Sequence, residues 1–192
     1  MARRHLLVTG FGAFEKVERN PSREIARALE QDGIGEDVDV SGAELPVEFT
    51  AVAPAVDAIL RQMLTPPDVI LGLGVWSQGD GFRLERRARG TFDTKRADNA
   101  GTTGAGINLG LSRSTDFDLE HLAACLRAAG AENVRISEDA GGYVCERTYL
   151  HLLTRAKDIG AKALFLHVPP LEVVALEQQI SCVKALAREL VR

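Results

Sequence analysis

Short β-rich apolar runs alternate with longer segments of helical periodicity along the chain, and this alternation restricts the fold more than any other feature of the sequence. His5 to Thr9 is such a run and ends at Gly10. Asn20, Pro21 and Ser22 then open a helix to about Leu29, with Pro21 in the first turn, where a missing N–H costs least. Val38 to Leu45 reads as a strand, and Phe49 to Met63 as a helix with Val52, Val56, Ile59, Leu60 and Met63 on one face. Pro66 and Pro67 mark a loop before a buried strand from Asp68 to Gly72. Further on, Leu119 to Ala129 is helical and stops at Gly130, Asn133 to Ser137 is strand-like, and Gly142 to Ala156 is helical. Ala163 to Val168 is a strand stopped by Pro169 and Pro170, and the last helix spans about Leu176 to Val191. The order predicts an α/β fold: one domain over residues 1–192, with a mostly parallel twisted sheet and helices on both faces.

In sheets of this kind a site forms beyond the carboxyl ends of the strands. Those ends are Gly10–Phe14, Gly72–Gly74 and His167–Pro170. The stretch from Gly79 to Gly110, rich in Gly, Asp and Arg, reads as loops with short strands and is a plausible excursion bearing part of the site.

Composition removes several functional classes. A net charge of −4 provides no basic surface for nucleic acid or an acidic membrane. No run approaches the roughly 18 apolar residues of a membrane span, and the N-terminal apolar stretch is too short for a signal peptide, so a cytoplasmic location is expected. Gly101–Gly106 lacks the Lys-Ser/Thr that follows a phosphate loop, and no paired CxxC spacing suggests zinc. Neither cofactor nor metal is expected.

The three cysteines, Cys125, Cys145 and Cys182, are an odd number without disulfide spacing. Cys145 stands apart because it follows Gly141-Gly142 after a strand end and falls in the first turn of a helix. Free amides and the helix dipole there stabilise a thiolate and can also hold an oxyanion. The competing reading is a buried structural cysteine. His167, at a strand end, is the candidate base, against the alternative of a solvated strand-end histidine. His5, His121 and His151 are weaker: the first begins a strand, the second lies a turn before Cys125, and the third faces away from Cys145 on the same helix. An acid to orient the imidazole has to come from Glu85, Asp80, Asp93, Asp98 or Asp139, and the residues alone do not choose among them. Glu85, set among arginines, also fits a surface ion pair. Phe11 and Phe14, flanking Gly12, either line a small apolar pocket or cap the core.

Together these blocks resemble the pyroglutamyl peptidase I, or pyrrolidone-carboxylate peptidase, family. Thr9-Gly-Phe-Gly-Ala-Phe14, five residues, then Asn20-Pro-Ser22 is similar to its opening signature. Leu45-Pro46 with Phe49 resembles the next block, and Glu85-Arg86 with Ala88, Asp98-Asn99 and Gly101 resembles the block with the family's catalytic glutamate. Ala140-Gly141 before Val144-Cys145 resembles the nucleophile block, and Phe165-Leu-His167-Val-Pro169 with Leu171 the histidine block. The resemblance implies a cytosolic cysteine exopeptidase that removes an N-terminal pyroglutamate. Cys145 would be the nucleophile, His167 the base and Glu85 the orienting acid. Phe11, Phe14, Asn20, Tyr143 and Val144 would contact the substrate, a small peptide with a blocked N-terminus. It also implies a homo-oligomer, dimer or tetramer.

The chain departs from the family pattern at several positions. Val75 stands where a glutamine is usual, with Ser77-Gln78-Gly79 in place of Gly-Gly-Arg. Val47 replaces a threonine, Lys95 an arginine and Arg96 an apolar residue, and Leu171-Glu-Val-Val replaces Leu-Pro-Glu-Gln. These departures leave room for a cysteine amidohydrolase acting on a different small amide or ester, or for a binding homologue without catalysis.

Overall fold

Strand residues of alternating parity feed two separate apolar layers, and this pattern builds the molecule. The computed structural model describes residues 3–15, 17–92 and 94–192; the acid candidate Asp93 lies outside the described residues. Leu6, Val8, Leu71, Leu73, Leu164, Leu166 and Val168 enter one layer. Leu7, Ile70, Ala163 and Phe165, one register position away, enter the other. Strands buried on both faces in this way belong to a parallel sheet covered by helices on each side.

The elements are β1 (Arg4–Phe11), α1 (Pro21–Asp32), β2 (Val38–Leu45), α2 (Val52–Gln62), β3 (Val69–Val75) and β4 (Phe82–Glu85). They continue with four two-residue strands: β5 (Arg87–Ala88), β6 (Thr91–Phe92), β7 (Ile107–Asn108) and β8 (Arg113–Ser114). Then follow α3 (Leu119–Ala128), β9 (Val134–Ser137), α4 (Val144–Ile159), β10 (Lys162–Val168) and α5 (Leu176–Leu190). The main sheet has the order β2-β1-β3-β10-β4-β9. Helices α1, α3 and α5 cover one face, and α2 and α4 the other. This is the predicted α/β architecture. No helix of the described residues is long and apolar enough to cross a membrane.

The pairing between β10 and β4 is antiparallel, while β1–β2, β1–β3, β3–β10 and β4–β9 are parallel. β4 begins the stretch read from sequence as an excursion, yet it lies inside the main sheet. Its four residues alternate: Phe82 and Leu84 enter the α1/α3/α5 layer, which leaves Arg83 and Glu85 on the opposite face. A strand this short carries too little periodicity to stand out among the surrounding Gly, Asp and Arg.

Several boundaries shift for local reasons. α2 begins at Val52 instead of Phe49, because the Phe49 amide donates to Asp98 Oδ2 (2.7 Å) and is held in a loop. α4 begins at Val144, after a turn in which Tyr143 N–H donates to Gly141 O and Gly141 takes φ 78°, a conformation L side chains rarely adopt. β3 runs on past Gly72 to Val75. α1 starts where the sequence indicated: the Asn20 side chain accepts from Ser22 N–H, and Pro21 occupies the first turn.

Leu164 is fully buried in the α1/α3/α5 layer, away from the ends of the strands. Its truncation to alanine removes transfer energy and leaves a cavity, so Leu164→Ala is expected to lower unfolding free energy by about 2–5 kcal/mol, read by urea denaturation followed by circular dichroism.

Candidate active site

Three elements meet at the carboxyl ends of β3 and β10. On β10, Ala163, Phe165 and His167 share the face toward α2 and α4, with His167 last. On the parallel neighbour β3, Gly74 stands directly beside His167. A Cβ at Gly74 would lie 3.0 Å from Cys145 Sγ and 3.0 Å from the Phe165 ring, so the missing side chain lets the thiol of α4 settle onto the sheet next to the imidazole.

On the other side of β10, the antiparallel register pairs His167 with Arg83 and Phe165 with Glu85. Glu85 is therefore the diagonal neighbour of His167 on the same face. Its Oε1 accepts from His167 Nδ1 at 2.8 Å and from Arg83 Nε at 2.9 Å. Glu85 is fully buried, and Tyr149 OH donates to its backbone carbonyl at 2.8 Å. Arg83 is held in turn by Ser137 Oγ, by the Asp139 carbonyl and by the Trp76 ring face, 4.0 Å from its guanidinium carbon. The His167 ring packs edge-on against Phe165.

Burial alone would favour a neutral His167. Hydrogen bonds donated by the ring to the Cys145 and Glu85 side chains, with the charges of both, outweigh it and push His167 up to about 9. With Nδ1 engaged by Glu85, Nε2 is the nitrogen left for Cys145. Cys145 is the second residue of α4, and no side chain caps that helix. The amides of Val144 and Cys145 thus belong to the first turn, which has no intrahelical acceptors.

Beside the thiol is a small pocket of about 40 Å³, lined by Phe11, Phe14, Asn20, Val47, Val75, Arg96, Tyr143, Val144 and Cys145. Phe11 and Phe14 come from the end of β1, Val75 from the end of β3, and Tyr143 and Val144 from the start of α4. A larger hollow of about 460 Å³ elsewhere is lined by residues such as Ser112, Lys157 and Lys162 and holds neither cysteine nor histidine.

A sequence profile of the pyroglutamyl peptidase family matches residues 4–190. The chain belongs to the pyroglutamyl peptidase family. It is 30% identical to a pyrrolidone-carboxylate peptidase of Cupriavidus pinatubonensis over 173 residues, 86% of this chain and 78% of that protein. It is 31% identical to pyrrolidone-carboxylate peptidase 1 of Ralstonia nicotianae over 176 residues, 88% of this chain and 80% of that protein. The crystal structure of a pyrrolidone carboxyl peptidase from Fervidobacterium islandicum superposes with a TM-score of 0.88 at 26% identity, covering 98% of each chain. Members of the pyroglutamyl peptidase family are cysteine-type omega peptidases, which makes this chain an enzyme of that type.

Within this family member, the other acid candidates are committed elsewhere. Asp80 pairs with Arg135 at 2.7 Å on the surface, and Asp139 with Arg89 at 2.6 Å. Asp98 accepts backbone N–H groups from Phe49, Ala100 and Thr102 and so organises a loop. The remaining histidines are equally occupied: His5 with Ser41 and Thr65, His151 with Asp57, and His121 with Glu189, with Cys125 Sγ 3.7 Å from its ring. Cys182 is buried in the core.

Among the positions that depart from the pyroglutamyl peptidase pattern, Val47, Val75 and Arg96 line the pocket. Lys95 is exposed and Gln78 is exposed, and neither is among the lining residues. Sequence reasoning missed Arg83, Trp76 and Glu15. Arg83 was legible only as one of the arginines around Glu85, and Glu15 carried no signal.

The raised His167 predicts a pH dependence. Its folded value lies above the ordinary 6.5, so the contacts with Cys145 and Glu85 contribute stability that is fully present below about pH 6.5 and is lost as pH rises through about 9. NMR titration of the His167 ring protons is expected to show a midpoint near 9, and Glu85→Gln should move it down toward 6.5. The stability gap between wild type and Glu85→Gln should narrow between neutral pH and about pH 10.

Proposed function

We propose that this protein is a cysteine exopeptidase that removes an N-terminal pyroglutamyl residue from peptides, with Cys145 as nucleophile, His167 as acid–base and Glu85 as the orienting acid. One observation carries the reading: the Cys145 thiol meets a buried His167–Glu85 pair beside a pocket walled by Phe11 and Phe14. Family membership supports the same reaction class.

The chemistry follows from the positions. The Cys145 thiol gives its proton to His167 Nε2, its sulfur attacks the carbonyl carbon of the amide that follows the ring, and the C=O π pair moves to oxygen. The Val144 and Cys145 amides, in the first turn of a helix that no side chain caps among the described residues, hold that oxyanion, with the dipole of α4 behind them. As the C–N bond breaks, His167 Nε2 gives its proton to the departing amine. Water then attacks the thioester while Nε2 takes its proton, and Cys145 leaves as the ring acid is released. Throughout, Glu85 holds Nδ1 at 2.8 Å, which fixes the ring orientation and stabilises the imidazolium. Phe11 and Phe14 provide flat apolar walls for a small ring, and Asn20 supports them: it is fully buried, donates to Gly12 O and accepts from Ser22.

Val47, Val75 and Arg96 in the pocket favour a second reading, a different small amide or ester on the same machinery. A site that hydrogen-bonds one polar ring discriminates strongly against analogues lacking its polar atoms. Hydrolysis of a pyroglutamyl amide, measured beside prolyl and free-amino analogues, separates the two. Turnover of the pyroglutamyl amide alone is the expected result, and turnover only of another amide would sink the first reading. Cys145→Ala is expected to lower kcat by on the order of 10⁴-fold or more with the circular dichroism spectrum unchanged. Cys125→Ala and Cys182→Ala should keep activity.

A further inference from the structure

The pocket beside Cys145 is mostly apolar: Phe11, Phe14, Val47, Val75 and Val144 bring no side-chain polar atom. Of its polar residues, Asn20 is committed to Gly12 and Ser22, and the Tyr143 hydroxyl donates to Ala97 O at 2.9 Å. Arg96 is the one cation among the described lining residues. Its guanidinium carbon lies 5.1 Å from the Phe14 ring centre and 4.9 Å from that of Tyr143, so the charged plane is held against two of the pocket's aromatic walls. Arg96 Nε and Nη2 donate to Glu15 Oε1 and Oε2, each at 2.5 Å. This two-point bridge fixes the plane and leaves the Nη1 donors, which have no partner among the described residues.

The position of this bridge limits what the donors can read. Glu15 already offsets the charge of Arg96, so a second full anion gains little from it. A neutral acceptor gains a charge-assisted hydrogen bond without having to displace Glu15. The side chain is only partly exposed, at 34%, so water competes less than at an open surface. Val75 and Arg96 together amount to an exchange: one wall has lost a hydrogen-bonding amide relative to the family pattern, and another has gained a fixed guanidinium.

We propose that Arg96 is the specificity-determining side chain of this pocket, donating from its guanidinium to the carbonyl oxygen of a flat, neutral acyl ring while Glu15 holds it in place. This deepens the proposed function and rests on it, since the ring in question is the pyroglutamyl lactam.

The test compares two amides with the same leaving group, one pyroglutamyl and one cyclopentanecarbonyl, the second being a ring of equal size without the carbonyl. Wild type should prefer the pyroglutamyl amide. Arg96→Met keeps the apolar stem and should reduce that preference, as the ratio of kcat/KM values, by about 10- to 100-fold. Arg96→Lys, which keeps the charge and loses the fork, should fall between. Glu15→Gln should raise kcat/KM for a succinyl amide, because the guanidinium then presents an uncompensated charge. If Arg96→Met does not fold by circular dichroism, Arg96→Lys and Glu15→Gln carry the test. An unchanged ratio in the arginine variants, or faster pyroglutamyl turnover in Arg96→Met, overturns the proposal and leaves the pyroglutamyl peptidase reading standing. Wild type inert toward pyroglutamyl amides but active on another acyl group overturns that reading, and the assignment of Arg96 falls with it.

Discussion

A carboxylate with no exposed surface anchors the candidate active site. Glu85 is withdrawn from water, and such a charge is costly unless it is paired and hydrogen-bonded. His167 Nδ1 and Arg83 Nε both donate to the same oxygen, Oε1, while Oε2 is buried without a partner among the described residues. Removing either donor leaves the carboxylate undercompensated, which explains the number of elements that converge on it. Tyr149 of α4 holds its carbonyl, Arg83 is wedged over Trp76, and Phe165 closes the side of the imidazole. The arrangement depends on the register of β4 against β10, which puts Glu85 diagonal to His167 on one face.

Much of the frame was legible in residue patterns. The parity of Leu6/Val8 against Leu7, and of Leu164/Leu166 against Phe165, encodes a sheet buried on both faces, and the stop at Pro169 places His167 at its rim. Gly141 before Cys145 marks a turn into a helix, and with it the place of the Cys145 thiol in a helix's first turn. The partner of His167 was not legible from the residues. Glu85, Asp80, Asp98 and Asp139 are chemically similar, and what separates them is long-range pairing: Arg135 for Asp80, the Phe49 amide for Asp98, Arg89 for Asp139 and His167 for Glu85. The family resemblance pointed to Glu85 where composition and spacing left the choice open. The bridge between Glu15 and Arg96 spans a sequence separation of 81 and was invisible for the same reason.

Glu146, next to Cys145, shows how the parts are tied together. It is fully buried, and desolvation raises its carboxyl above the ordinary range despite the backbone hydrogen bonds it accepts, one from Gly90 N–H at 2.7 Å. A buried side chain of α4 is thereby fastened to the segment that runs from the end of β4 toward Arg96. The helix that positions the thiol and the loop that roofs the pocket share this fixed point.

The division of labour between sheet and loops has a consequence for how such a protein can change. The His167–Glu85 pair is locked into neighbouring strands, where the two residues stand in one hydrogen-bonded ladder and a substitution disturbs the core. Much of the pocket wall is hung outside the sheet: Phe14, Val47 and Arg96 all lie on connecting segments. Loop positions tolerate exchange far better than core strands do. A substitution at Val47 or Arg96 can therefore reshape the pocket wall without moving the buried His167–Glu85 pair.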